Sequence, residues 1–121
     1  MRAAPALPKR VWIGTSEVKI SIVPHDDPQL DGGETRGTTI CELPPKVHIS
    51  DALDPGSMLE VVWHELTHVI NWLAELGDES TEEQVADVHG RAWPALLIAN
   101  PKLQRWFTHQ INAIRKEQSN A

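Results

Sequence analysis

Tyrosine is absent from this chain, and phenylalanine and cysteine occur once each. A single cysteine, Cys41, excludes an internal disulfide and any cysteine-rich zinc knuckle, and it fits a reducing compartment. Cys41 itself reads as a small hydrophobe within a strand. Basic residues are outnumbered, 11 Lys and Arg against 17 Asp and Glu, giving a formal net charge of -6. Without clustered Lys and Arg the chain lacks the electrostatic footprint that nucleic acid or an anionic membrane surface requires. No apolar window reaches membrane-spanning length, and MRAAPALPKR at residues 1 to 10 has no apolar core of signal-peptide length. The expectation is a soluble, cytoplasmic protein with neither a nucleic-acid nor a membrane partner.

What is present suffices for one core. At 121 residues and 40% hydrophobic content, the chain is expected to form a single domain over 1-121, with loose ends at 1-10 and 117-121. Its halves differ in periodicity. In VWIGTSEVKISIV, residues 11 to 23, Val18, Ile20 and Ile22 alternate with Lys19 and Ser21, the signature of a half-buried strand. PHDDPQLDGGETRG, residues 24 to 37, is turn-rich; further strands are expected at 38 to 43 and 46 to 50. The second half is helical. Asp54-Pro55-Gly56-Ser57 is a start signal, and Leu59, Val62, Leu66, Val69 and Leu73 form an apolar stripe that ends before Gly77. Asp78 to Thr81 open a second helix with Val85, Val88, Ala92 and Leu96 on its buried side, which Pro94 should kink or end. Asn100-Pro101 starts a third, expected to run to about residue 116. The fold class expected is α+β: a small antiparallel sheet of about three strands, then three helices.

The chemistry concentrates in VVWHELTHVI, residues 61 to 70. His64 and His68 lie one turn apart on one side of the first helix, so both imidazoles can reach one ion at about 2.0 to 2.1 Å. Glu65 sits about 100° round the helix, poorly placed for the ion's inner sphere and well placed to touch a water bound there. Two ligands and a base are the parts of a His-Glu-x-x-His metal site. A catalytic zinc needs a third protein ligand, for which Glu79, Glu82, Glu83, Asp87 and His89 are candidates. Glu83, Asp87 and Gly90 share a helix face; His89 points away from it and reads as a surface residue. Ser80-Thr81-Glu82-Glu83 is also a capping box, which would fold Glu83 back onto the backbone. Trp63, Trp72, Trp93 and Trp106 read as core or inter-helix packing, and His25, His48 and His109 as solvated.

HELTH at 64 to 68, with Glu83-Gln84-Val85-Ala86-Asp87 downstream, resembles the zincin metallopeptidases of the gluzincin type. The order of strands, LEVVWHELTHVI, EEQVADVHGRAW and NPKLQRWF is similar to minimal zincin-like proteins of phages and prophages, themselves related to SprT-like and ImmA/IrrE-like peptidases. The likeness covers roughly residues 35 to 107, and the histidine-glutamate-histidine motif is its sharp part. It implies Zn2+ as cofactor, Glu83 as third ligand, Asp87 as partner of a ligand histidine's other N–H, and Glu65 as general base in hydrolysis of a peptide or protein substrate. Larger relatives stabilise the oxyanion with a tyrosine or a matching histidine. This chain has no tyrosine, and Arg91, His48 and His109 are the substitutes to consider. The alternative is a zincin-fold binding module of weak or no activity that acts on a regulatory protein.

Overall fold

The computed structural model describes residues 4–120 and is α+β: a small mixed sheet of four strands and three main helices. Strands β1 (Arg10–Ile13) and β2 (Ser16–Val23) form an antiparallel hairpin, with Val11 opposite Val18. The turn-rich segment then carries the chain, through a short 3-10 turn at Pro28–Gly33, past the neighbouring slot to the sheet edge. There β3 (Gly37–Ile40) runs antiparallel to β4 (Lys46–Ser50), and β4 fills the slot beside β2, parallel to it, in the order β1-β2-β4-β3. The expectation of an antiparallel sheet of about three strands is therefore corrected. Residues 11 to 23 supply two strands around Gly14-Thr15, and β2 pairs with β4 rather than with the next strand in sequence. The expected strand at 38 to 43 ends at Ile40, which leaves Cys41 exposed beyond it instead of inside a strand.

One face of the sheet carries Val11, Val18, Ile20, Val47 and Ile49, all buried. Against it pack Val62, Leu66 and Val69 of α1 (Pro55–Leu73), joined by Leu96 of α2 (Glu82–Ala99) and by Leu103, Trp106 and Phe107 of α3 (Pro101–Ser119). Each such side chain contributes about 1.5 to 3 kcal/mol through burial. Asp54 caps α1, accepting from the Ser57 amide at 2.7 Å, with Pro55 in the first turn. That amide holds the Asp54 carboxyl below its usual range, helped by the Arg36 charge. The helix ends at Leu73, the last residue of the expected stripe and before Gly77.

Two expectations about α2 are met only in part. The helix runs through Pro94 to Ala99. Pro94 lies on the exposed side, as does Gly90, so water can satisfy the carbonyl that loses its partner. Of the four residues expected on its buried side, Leu96 is buried, Val88 and Ala92 are partly buried and pack against the core, and Val85 is exposed. Asn100 begins α3 but makes no side-chain cap there. Its amide instead bonds both backbone groups of Trp12, closing the outer edge of β1. α3 extends to Ser119, past the expected end. Of the ends expected to be loose, residues 1 to 3 and 121 lie outside the described residues, and Leu7 packs against the core. No helix among the described residues is long and apolar enough to cross a membrane.

Candidate metal centre

Helix α1 brings the central motif together. His64 Nε2 and His68 Nε2 face each other at 3.1 Å, with the rings nearly perpendicular at 79°. Two nitrogens bound to one tetrahedral ion at about 2.0 to 2.1 Å would stand about 3.3 Å apart, so the pair is already set at ligand spacing. Both imidazoles are exposed, whereas Glu65 is 6% exposed. The donor atoms of His64, Glu65 and His68 all lie within 4.8 Å of one another.

Glu65 is oriented by the edge strand. The Thr39 hydroxyl of β3 donates to Glu65 Oε1 at 2.9 Å and approaches the Glu65 carbonyl at 3.2 Å. Oε2 is left 3.9 Å from His64 Nε2. A carboxylate with one oxygen pinned and the other facing the imidazole pair can accept a proton from a water between them.

The strand can do this because it runs very close to α1. At Gly37 an added Cβ would stand 2.6 Å from Val61 Cγ1 and 3.1 Å from Glu65 Cγ, so only hydrogen fits. A glycine within a strand pattern is the sequence signal for such an approach. Gly37→Ala should force the strand off the helix, costing about 1 to 3 kcal/mol. Adding Val61→Ala should recover a large part of that loss. Urea unfolding of the two variants checks both points, and an unchanged midpoint in Gly37→Ala would contradict the packing.

The other sequence candidates are distributed differently. Glu83 and Asp87 lie on the exposed opening turns of α2, their side chains without hydrogen bonds or ion pairs among the described residues and outside the His64, Glu65, His68 group. The capping role considered for Glu83 falls elsewhere, since Thr81 is the cap and Gln84 closes the box, at 3.1 and 2.8 Å. His89 is not a surface residue. Its Nδ1 accepts from Trp93 Nε1 at 3.1 Å, which leaves Nε2 as the protonated nitrogen that donates to Asn71 Oδ1 of α1 at 2.7 Å. Trp93 stacks on Trp63 with ring centroids 4.3 Å apart. The side of α2 turned to α1 is therefore the one bearing His89 and Trp93. By helical geometry Glu82 lies within about 20° of His89, and Glu83 about 120° away.

Trp106 is buried, as expected. Trp63 and Trp72 are partly exposed, and Trp63 borders an open groove with Leu59, His64 and Thr67. Of the residues considered for an oxyanion, His48 is on the wrong sheet face, because its neighbours Val47 and Ile49 point into the core. Arg91 lines a hollow with Ile13, Ile70 and Leu73, away from the imidazoles, and His109 is exposed on α3. The cation beside the site is Arg36, which lines a cleft of about 250 Å3 with Gly37, Glu60, His64 and Glu65. Its place before a strand at the end of a turn-rich loop gave no sequence signal.

The β3 edge is open for pairing. Ser50 N–H donates to Arg36 O at 2.9 Å, which sets the alternation of the β3–β4 ladder. The backbone groups of Gly37 and Thr39 then point away from β4, toward the outer edge. Residues 46 to 50 form an interior strand and offer no such edge. In comparisons with known proteins, no family model matches the chain, and no curated protein or solved structure is significantly similar to it.

Proposed function

We propose that the chain is a zinc-dependent peptidase whose metal is held by His64, His68 and a carboxylate from α2, with Glu65 as general base. The observation that carries this reading is the pair of imidazole nitrogens 3.1 Å apart beside a buried carboxylate with one oxygen turned toward them. Zinc bound there would polarise the scissile carbonyl and make water acidic enough to attack at neutral pH. The remaining steps belong to the chain. The β3 edge takes the substrate as an added strand through the free groups of Gly37 and Thr39. Glu65 removes a proton from the attacking water and delivers it to the leaving amine, while Thr39 keeps the carboxylate aligned.

The third ligand is Glu83 by the resemblance, with Asp87 bonding a ligand histidine. Glu82 is the alternative that the His89–Trp93 face of α2 favours. Glu83→Gln should weaken zinc affinity more than 100-fold in chelator competition if Glu83 is the ligand, and Glu82→Gln should change it less than threefold; the reverse pattern transfers the role.

The test of the function itself is zinc content together with digestion of an unfolded protein such as casein. One zinc per chain, with new amino termini that appear only in the zinc-loaded protein, supports the reading. Zinc without cleavage across a pH series favours the binding module, in which the same helix and metal would serve contact with a protein partner.

A further inference from the structure

The geometry points to Arg36 as a further catalytic residue, whose guanidinium stabilises the oxyanion formed on the scissile carbonyl. The inference rests on the peptidase reading and supplies a part that reading leaves open. Hydrolysis begins when a water oxygen bonds to the carbonyl carbon; the π pair moves onto the carbonyl oxygen, and the water's proton goes to Glu65. When the C–N bond breaks, that pair returns to re-form the carbonyl, and the nitrogen leaves with the proton from Glu65. Between these events the oxygen carries a full negative charge, which a zinc site of three ligands shares with a second electrophile in larger enzymes of this chemistry. Tyrosine is absent, and the two histidines and the arginine on β4, α2 and α3 lie elsewhere.

Arg36 meets three requirements. It lines the same cleft as His64 and Glu65. Its main chain is fixed, because its carbonyl accepts from Ser50 and the next residue, Gly37, is wedged against Val61 and Glu65. Its guanidinium makes no ion pair within 4.0 Å with any described carboxylate, so its donors are not already committed. The acidic groups that face it are Glu60 and Glu65 across the cleft and Asp54 at the start of α1. A planar fork of N–H donors suits a tetrahedral oxyanion better than an ammonium point charge.

The test uses the full-length zinc-loaded protein and a peptide taken from the wild-type casein digest. Arg36→Ala should lower kcat about 100-fold with KM within threefold, and Arg36→Lys should recover about tenfold. Zinc affinity should stay within threefold in both. A second readout is binding: affinity for a phosphinic analogue of that peptide should fall about 100-fold in Arg36→Ala. Affinity for the unmodified peptide, measured by anisotropy in a Glu65→Gln background, should hold within threefold. Equal losses for analogue and peptide would overturn the proposal and make Arg36 a substrate-binding residue. A kcat within threefold of wild type would overturn it outright. If Arg36→Ala does not fold by circular dichroism, Arg36→Gln replaces it with the same expectations. Failure of the wild-type protein to cleave anything overturns the peptidase reading and this inference together; cleavage that ignores Arg36 overturns only the latter.

Discussion

Glu65→Gln should lower peptide hydrolysis at least about a thousandfold, while zinc should still bind one to one and the fold should be unchanged. The magnitude follows from removing proton transfer in both halves of the reaction, each step being worth about 10²- to 10⁴-fold. Zinc is retained because neither imidazole is altered. Folding is retained because the glutamine Oε1 can still accept the Thr39 hydroxyl at the position where the carboxylate accepts it at 2.9 Å. The amide that replaces Oε2 cannot accept a proton. Stability should therefore stay within about 1 kcal/mol, and urea unfolding beside a casein digest measures both halves of the claim. Undiminished cleavage in this variant would remove Glu65 from the mechanism and with it the base of the proposed site.

Asn100→Ala is the second large effect, and it acts on the fold alone. The Asn100 side chain accepts from the Trp12 amide and donates to the Trp12 and Leu96 carbonyls, each at 2.7 Å, and the residue is 7% exposed. Alanine removes the side-chain partner of three backbone groups, two on Trp12 at the sheet edge and the buried Leu96 carbonyl. The expected loss is about 3 kcal/mol, roughly a hundredfold in the folding equilibrium. Asn100→Asp should be no better, because it keeps one acceptor and turns a negative charge toward two carbonyl oxygens. Zinc affinity should be unaffected under conditions where the variant is folded, since Asn100 sits at the far edge of the sheet from β3. A loss below 1 kcal/mol in urea would show that solvent replaces the amide at that edge.

How legible all this is in the sequence depends on distance along the chain. The arrangement of His64, Glu65 and His68 is local to one helix, and the apolar stripe from Val62 to Val69 announces that helix directly. The strands of the first half could also be read from their alternation. Their pairing could not, because nothing in residues 24 to 37 states that the chain steps past a vacant slot and that β4 later fills it. The same gap hides Arg36 and Thr39, whose neighbours on α1 lie far along the chain. His89 was misread for a related reason. The rotation of α2 is set by Trp93 stacking on Trp63 and by Asn71, so a face chosen from the spacing of Glu83, Asp87 and Gly90 was not the face turned to α1. Asn100 was recognised as a helix start, yet its side chain serves a strand 88 residues earlier.

The bond between Thr39 and Glu65 ties the outermost strand to the carboxylate proposed as the base. Any polypeptide that zips onto that rim would stiffen the segment holding the carboxylate, so occupancy and alignment would rise in step.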